Sequence, residues 1–339
     1  MAPSIIDSPK EASTEPFVNN SKKPAMYLLE NFPEESIKYR QTLFHTVLPT
    51  DPEITNWHNN ADAILVREKT ITAEDILSAR RLRAIGKQGT GIDIIDKDAA
   101  DARRIAICNT PGVNAQSVAE LVLALTMAVA RQLGSISVGQ AAGKEVRKEH
   151  CMGITLSGKA IGILGMGAIG TAVAEIFRGA FGDRVWAYDP FAPVDAWSNI
   201  EHTRVQRFEE MLPHVDVLTL HILLNSETKG LIGLKHMMAM RPGAILINVA
   251  RGGIVDETAL TAVPKEGRIF GAGLDCHEEE PPTAQKYEEL WDTGRVVSTP
   301  HIGATTKETV IRTATSAMDN VWRHLSSTST TVNSSTCYT

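Results

Sequence analysis

The chain has 339 residues, enough for about two domains, and 43% of them are hydrophobic, which excludes a small disulfide scaffold and a disordered chain. Its 34 Lys and Arg residues against 40 Asp and Glu residues give a net charge of −6. This balance argues against nucleic acid as a partner, because binding to a phosphate backbone requires a basic surface.

Both ends of the chain are predicted to be disordered tails. Residues 1–23 are rich in Ser, Pro, Asn and charge, and residues 326–339 form a Ser/Thr tract. Neither segment can bury enough apolar surface to offset the entropy lost on ordering. The start of the chain carries acids and prolines where a signal peptide needs an apolar stretch, and no apolar run approaches the roughly 18 residues that cross a bilayer. We therefore expect a cytoplasmic protein with no membrane partner.

Between the tails, short apolar runs alternate with helical patterns, which is typical of parallel β-α-β units. Two series of strands are predicted, at 25–30, 61–68, 82–89 and 105–110, and then at 160–165, 184–189, 216–221, 244–250, 272–275 and 296–300. The fold class is therefore α/β, with two Rossmann-like, doubly wound parallel-sheet domains. The helix predicted over 114–133 is apolar on nearly every face, so it is buried. It could lie in a core, between domains or between subunits.

The four cysteines are far apart and form no C-x-x-C pair. They are Cys108, Cys151, Cys276 and Cys337. We expect reduced thiols in a reducing compartment, and no metal site.

A glycine-rich motif, Gly165-Met-Gly167-Ala-Ile-Gly170, follows a predicted strand and precedes a helix. The first glycine suits a tight turn, the second lets the backbone approach a pyrophosphate, and the third allows the helix to pack on the strand. Asp189 ends the next strand about 20 residues further on, where a carboxylate accepts hydrogen bonds from a ribose 2′-hydroxyl and repels a 2′-phosphate. The motif predicts NAD as the cofactor.

Three polar clusters lie at the ends of later strands of the second series, beginning at Asn248, Gly273 and Thr299. Singly, each has a simple interpretation as a surface turn, a solvated acidic run or an ordinary histidine. Together they fit hydride transfer to a 2-oxo acid, which needs a cation for the carboxylate and a proton donor for the carbonyl oxygen. Arg251 and His301 supply those groups, and a neighbouring carboxylate such as Glu280 would favour the imidazolium.

These motifs resemble those of the D-isomer-specific 2-hydroxyacid dehydrogenase family over roughly residues 25–325. The resemblance implies a catalytic set of Arg251, Glu280 and His301. It implies cofactor contacts from Gly165, Gly167, Ala168, Ile169, Gly170, Asp189, Val249, Ala250, Asp275, His301 and Gly303, with Asp275 at the nicotinamide end.

The resemblance also implies a domain arrangement. A substrate domain would comprise residues 24–109 and 302–325, with an NAD-binding domain over residues 110–301 inserted into it and the reaction in the cleft between them. A homodimer would form around the helix that follows Asn114. No regulatory domain is expected after residue 325.

Within the family, segments 64–67, 89–93 and 109–114 are similar to those of the 3-phosphoglycerate dehydrogenases. This similarity implies a substrate site made of Arg67, Gly89, Thr90, Gly91, Asn114 and Arg251, with Arg67 on a substrate phosphate. The alternative for Arg67 is a surface residue beside Glu68.

Several residues depart from the pattern of that subfamily. Lys87-Gln88 replaces Arg-Ala and Ile94 replaces Asn, so an altered pocket is expected. Cys276-His277 replaces Val-Phe, and this pair alone does not make a metal site. Pro264 is expected to end early the helix that begins after Asp256, because an interior proline costs about 3 kcal/mol.

The sequence thus predicts an NAD-dependent oxidoreductase that interconverts a D-2-hydroxy acid and its 2-oxo acid, most like 3-phosphoglycerate dehydrogenase. A reductase of glyoxylate, hydroxypyruvate or a specialised-metabolite 2-oxo acid remains open within the class. An NAD(H)-sensing corepressor-like binding protein is the alternative outside it, because such relatives keep all three catalytic residues.

Overall fold

A computed structural model describes residues 23–182, 184–263, 268–327 and 337–338. The first part of the chain forms β1 (Ala25–Leu28), α1 (Glu34–Arg40), β2 (His45–Val47), α2 (Trp57–Asn60), β3 (Ala63–Val66), α3 (Ala73–Ser78), β4 (Ala84–Lys87), α4 (Lys97–Ala102) and β5 (Ala106–Cys108). Two consecutive helices follow, α5 (Ala115–Ala130) and α6 (Leu133–Ala141).

The second part of the chain begins another series of strands and helices. It forms β6 (Ala160–Leu164), α7 (Ala168–Phe181), β7 (Arg184–Tyr188), β8 (Thr203–Arg204), β9 (Val217–Leu220), α8 (Leu234–Ala239), β10 (Ala244–Asn248), α9 (Glu257–Ala262), β11 (Ile269–Leu274), α10 (Ala284–Trp291) and β12 (Val296–Ser298). Helix α11 (Lys307–Ser326) and strand β13 (Cys337–Tyr338) come after them.

The strands form two sheets, which confirms the predicted α/β class. The first has the order β13-β5-β4-β3-β1-β2 and is parallel except for β13. The second has the order β12-β11-β10-β9-β6-β7-β8 and is parallel throughout. Its order reverses between β6 and β9, and ligands of open α/β sheets bind at such a point, beyond the carboxyl ends of the strands.

Helix α5 packs in the core of the second sheet, one of the positions that its sequence left open. Val118, Val122 and Val129 share one buried cluster with Ile161 of β6 and Phe177 of α7. Helix α6 turns away and has no buried residue within the described chain. No single described helix is long and apolar enough to cross a membrane; α5 and α6 meet that test only as a pair, with a 67° bend between them.

Helix α11 returns to the first sheet. Ala314, Met318 and Val321 pack in one buried cluster with Met26 and Leu65. The first core is therefore built from two separate stretches of the chain, as the resemblance implied. The domain boundaries at 109 and 302 stay a prediction.

Two expectations about the cysteines and the C-terminal segment are wrong. Cys108 and Cys337 form a disulfide, whereas Cys151 and Cys276 are free. The pair is possible because Cys337 of β13 lies in register beside Cys108 of β5, which the separation of 229 residues concealed. Residues 337–338 are therefore part of a sheet and not of a disordered tail. Ser326, the first residue of that predicted tail, also belongs to a fold element, because it ends α11. The other residues of the tail beyond 327, and residues 1–22, lie outside the described residues.

Helix α9 ends at Ala262, before Pro264, as expected. The strands β2, β8 and β13 were not predicted. Each is only two or three residues long, too short for an apolar pattern to reveal.

Candidate active site

The glycine-rich loop joins β6 to α7 where the strand order reverses. Gly165 has a φ of +101°, and a Cβ there would lie 2.4 Å from the carbonyl oxygen of His221. A Cβ on Gly170 would lie 2.1 Å from the carbonyl oxygen of Gly165, so this glycine lets α7 start against the loop. Nothing lies within 4 Å of a Cβ built on Gly167, and α7 begins without a side-chain cap. The space over Gly167 and the first N–H groups of α7 fit a pyrophosphate.

Asp189 follows β7 and is tied to that loop. Its Oδ2 accepts a hydrogen bond from the Met166 N–H at 2.9 Å, and its Oδ1 accepts one from the Phe191 N–H at 2.9 Å. Arg204 of β8 lies beside it and donates to the carbonyl oxygens of Asp189 and Ala192 at 3.0 and 2.7 Å. The sequence analysis missed Arg204, because strand β8, which places it beside Asp189, was not predicted.

The other predicted cofactor residues lie along the same edge of the second sheet. Ala168 and Ile169 form the first turn of α7. Val249 and Ala250 follow β10, where the Asn248 side chain accepts a hydrogen bond from the Ala250 N–H at 3.1 Å. The carboxyl ends of β6, β7 and β10 thus bring these residues to one crevice.

Asp275 follows β11 and fixes the loop that carries His301. Its Oδ1 accepts hydrogen bonds from the Thr299 hydroxyl and the Ile302 N–H, both at 2.7 Å, and its Oδ2 accepts one from the Gly303 N–H at 2.9 Å. His301 has a positive φ of 55° and donates its N–H to the Asp275 carbonyl oxygen at 2.8 Å. The Asp275 carboxylate therefore holds the histidine loop in place, a role that the sequence did not reveal.

His301 and Glu280 form a hydrogen-bonded pair. The distance from His301 Nδ1 to Glu280 Oε2 is 2.9 Å, and Glu280 Oε1 accepts a further hydrogen bond from the His277 N–H at 3.1 Å. Hydrogen bonds with Cys276 and Glu280 raise the pKa of His301 to about 10. Burial opposes ionisation of Glu280, but its contact with His301 outweighs burial and lowers the pKa of the carboxyl. At neutral pH the pair is thus an imidazolium held by a carboxylate.

Arg251 follows β10 and reaches a loop of the first sheet. Its Nη2 donates to Asp93 Oδ1 at 3.2 Å, and its Nη1 donates to the Ala250 carbonyl oxygen at 2.7 Å. A Cβ on Gly91 would lie 1.8 Å from Arg251 Nη2, so a side chain at Gly91 would displace the guanidinium. Burial opposes ionisation of Asp93, but the Arg251 charge outweighs it and lowers the pKa of that carboxyl.

Two buried polar atoms, one in the loop of residues 89–91 and one at the start of α5, lack a hydrogen-bond partner within the described chain. They are Thr90 Oγ1 and Asn114 Oδ1. The Gly89 N–H, in contrast, already donates to the Thr110 hydroxyl at 2.9 Å. Thr90 and Gly91 are therefore better placed than Gly89 to donate an N–H to a substrate carboxylate.

Lys87 ends β4 beside this loop. Its side chain is buried, and its Nζ donates to the Gln88 carbonyl oxygen at 2.5 Å. Burial and the nearby Arg251 charge lower the pKa of Lys87 to about 8. The replacement noted in the sequence thus places a second cation near Arg251.

Arg67 follows β3 at the same edge of the first sheet. Its Nε lies 3.0 Å from Glu68 Oε1, as the alternative beside Glu68 implies, although this buried Nε makes no hydrogen bond within the described chain. The Glu30 carboxylate accepts hydrogen bonds from the backbone N–H groups of Arg67 and Glu68 at 2.5 and 3.0 Å. Glu68 therefore competes with a phosphate for this cation, whereas Glu30 holds the backbone that carries it.

A buried pair from two helices fixes the segment before Glu280. Glu257 of α9 accepts hydrogen bonds from the Glu278 N–H and from the Tyr287 hydroxyl of α10, both at 2.9 Å. The same hydroxyl accepts a hydrogen bond from the Glu279 N–H at 3.0 Å. Glu257 and Tyr287 thus hold two successive peptide groups next to the residue that contacts His301. Neither residue was predicted as part of the site, because neither lies at a strand end.

Comparison with known proteins shows what this arrangement is similar to. Residues 123–303 match the family model described as D-isomer specific 2-hydroxyacid dehydrogenase, NAD binding domain. The D-3-phosphoglycerate dehydrogenase of Archaeoglobus fulgidus is 41% identical over 248 residues, which are 73% of this chain and 46% of the relative. This chain therefore spans about half the length of that relative.

Two further proteins match over nearly their whole length. The hydroxypyruvate reductase of Thermotoga maritima is 34% identical over 304 residues, which are 89% of this chain and 95% of the relative. The structure of NAD+-bound 3-phosphoglycerate dehydrogenase from Entamoeba histolytica superposes with a TM-score of 0.74 at 26% identity, covering 91% of this chain and 97% of that one.

Proposed function

The chain belongs to the D-isomer specific 2-hydroxyacid dehydrogenase family, and we propose that it is an NAD-dependent oxidoreductase that interconverts a D-2-hydroxy acid and its 2-oxo acid. The observation that carries this proposal is the Glu280–His301 pair on the sheet edge that also carries Arg251 and the glycine-rich loop. The pair supplies a proton donor, and Arg251 supplies a cation for a carboxylate.

When bound by the glycine-rich loop and Asp189, NADH would be the source of the hydride for the carbonyl carbon of the substrate in the reductive direction. Arg251 and the N–H groups of Thr90 and Gly91 hold the substrate carboxylate. His301 donates a ring proton to the carbonyl oxygen, which becomes the hydroxyl, and Glu280 stabilises the imidazolium before that transfer. Because the pKa of His301 is raised to about 10, the proton donor that reduction requires is present at neutral pH.

The substrate is proposed to be most like that of the 3-phosphoglycerate dehydrogenases, which are among the relatives. A second candidate, an unphosphorylated 2-oxo acid such as hydroxypyruvate or glyoxylate, is favoured by one observation. Arg67, the residue expected to bind the phosphate, is paired with Glu68. The hydroxypyruvate reductase that matches along its length supports this second candidate as well.

The test is NADH oxidation with phosphohydroxypyruvate, hydroxypyruvate, glyoxylate and pyruvate, with NADPH in parallel. The proposal predicts turnover with at least one acid and a preference for NADH, because Asp189 repels a 2′-phosphate. Arg67→Ala separates the two candidates: loss of activity on the phosphorylated acid alone assigns Arg67 to the phosphate. Binding of NADH without turnover of any 2-oxo acid would contradict the proposal and favour a sensing protein.

A homodimer is proposed to form through α5 and α6. Helix α6 has no buried residue, and its Leu133 and Val138 side chains are 50% and 70% exposed. An exposed apolar helix next to a core helix is typical of a subunit interface. Sedimentation equilibrium tests the proposal, and Val138→Glu is expected to shift the protein to monomer.

A cytoplasmic location also stays a proposal. The Cys108–Cys337 disulfide weighs against it, because disulfides are rare in reducing compartments. Acid quenching of intact cells, followed by alkylation of the denatured protein and mass spectrometry, decides the matter. A cytoplasmic protein is expected to have all four cysteines alkylated, whereas blocked Cys108 and Cys337 would contradict that location.

A further inference from the structure

Three side chains of different chemistry meet at the candidate active site. Cys276, Glu280 and His301 each offer one ligand atom, and these atoms lie within 4.8 Å of one another. Among the described residues, this is the one group of three or more His, Cys, Asp or Glu side chains with such spacing. A thiolate, a carboxylate and an imidazole are the ligands that Zn²⁺ prefers in proteins.

The chain departs from its family's pattern at the cysteine of this group. Cys276 is fully buried beneath the other two side chains, which are 35% exposed for Glu280 and 43% exposed for His301. The adjacent His277 takes no part, because its Nε2 lies 2.8 Å from the Ser298 hydroxyl and its ring packs edge-on against Tyr287. Cys276 and His277 therefore do not bind a metal together. The three candidate ligands are Cys276, Glu280 and His301.

We propose that Cys276, Glu280 and His301 bind Zn²⁺ and that the bound ion switches off the acid–base pair. The buried sulfur is the fixed ligand, and the two exposed side chains close on the ion by about 1 Å to reach zinc–ligand distances of about 2.0–2.3 Å. The fourth position of the tetrahedron faces the cleft and takes water. The Asp275 carboxylate is committed to the loop of residues 299–303 and does not compete.

Binding exchanges protons for the metal. The Cys276 S–H bond breaks as the S–Zn bond forms, and the imidazolium of His301 loses one ring proton as its nitrogen binds. Both protons pass to solvent. Glu280 is already ionised, so the ion, the thiolate and the carboxylate are together neutral. The proton that His301 needs for catalysis is lost for as long as the ion stays bound.

Inhibition by Zn²⁺ rests on the proposed function, whereas binding of the metal does not. Binding and inhibition are therefore measured separately. Co²⁺ serves as the spectroscopic probe, because a thiolate ligand gives it a charge-transfer band in the near ultraviolet. Zn²⁺ inhibition is measured separately, as NADH oxidation in buffers of defined free Zn²⁺. The wild-type chain is expected to show the cobalt band and to be inhibited reversibly, with recovery on chelation.

The decisive variant is Cys276→Val, which restores the residue common in the family and removes the thiol. It should lose the cobalt band, and its inhibition constant for Zn²⁺ should rise by at least about 10-fold. Cys276→Ser is the second variant if the first fails to fold, and it should also lose the band. Cys151→Ser is the matched control and should keep both the band and the inhibition.

Each failure has a distinct signature. A wild-type chain with no cobalt band, or a Cys276→Val variant with an unchanged band, overturns the metal site. Equal Zn²⁺ inhibition of the wild-type chain and of Cys276→Val overturns the switch. A cobalt band that depends on Cys276 in a chain that reduces no 2-oxo acid upholds the site and contradicts the proposed function instead.

Discussion

Individual residues from the loops of both sheets contact one another at the candidate site. Arg251, Glu280 and His301 could be predicted from sequence, because each lies in a motif at a strand end. The pairing of His301 with Glu280 was predicted too, but two other partners were not: Asp93 reaches Arg251 from the first sheet, and Cys276 reaches His301 from another loop. Side-chain direction, which no spacing encodes, brings these groups together.

Gly91 is the residue at which the guanidinium of Arg251 passes over the backbone of the first sheet. We expect Gly91→Ala to push that flexible side chain aside, because the new Cβ would lie 1.8 Å from Nη2. The result should be a loss of about 10-fold or more in kcat/KM for the 2-oxo acid, since small displacements of positioning groups cost catalysis heavily. The melting temperature and the Kd for NADH are measured in parallel and should stay near their wild-type values. Unchanged kcat/KM would argue against carboxylate docking at Arg251.

The lowered pKa of Lys87 predicts that the KM for the 2-oxo acid depends on pH. Its pKa is lowered to about 8, so its ammonium is charged below that pH and neutral above it. The KM for the 2-oxo acid should therefore rise between roughly pH 7 and pH 9, whereas His301, with a pKa raised to about 10, still carries its proton there. Lys87→Arg should remove this rise, because a guanidinium does not deprotonate in that range. A KM profile that is the same in both proteins would exclude Lys87 from the substrate pocket.

Whole elements could be predicted better than their contacts. The central strands were found because parallel strands read as continuous apolar runs. Helices α9 and α10 have a role that their sequences did not reveal, since Glu257 and Tyr287 meet only in the folded chain and together hold the segment before Glu280.

Tyr287→Phe tests this connection between α10 and the acid–base pair. Loss of the hydroxyl leaves the Glu279 N–H and the Glu257 carboxylate short of a partner in a buried place, at a cost of about 1–3 kcal/mol. We expect kcat to fall several-fold and the His301 limb of the pH–rate profile to shift, while the KM for NADH stays unchanged. Glu288→Gln at an exposed position of the same helix is the control. A purely structural role for Tyr287 would lower the melting temperature without moving the pH profile.

At the scale of the whole molecule, the chain builds two sheets and closes the first with segments from its far end. Helix α11 and strand β13 both return to that sheet, and β13 is joined to β5 by the Cys108–Cys337 disulfide. The sequence predicted the return of α11 through family resemblance, whereas it gave no sign of β13, because two residues in a polar tract carry no strand pattern. The site then lies where Gly91 of the first sheet meets Arg251 of the second.

The central claim is that His301, held by Glu280, transfers the proton that accompanies the hydride. Its most direct test is the single-turnover rate of NADH oxidation by a saturating 2-oxo acid in the wild-type chain and in His301→Gln, with the Kd for NADH measured in both. The account predicts a fall of roughly 10²–10⁴-fold in the rate, the usual range for a general acid, with an unchanged Kd. An unchanged rate in His301→Gln would contradict it.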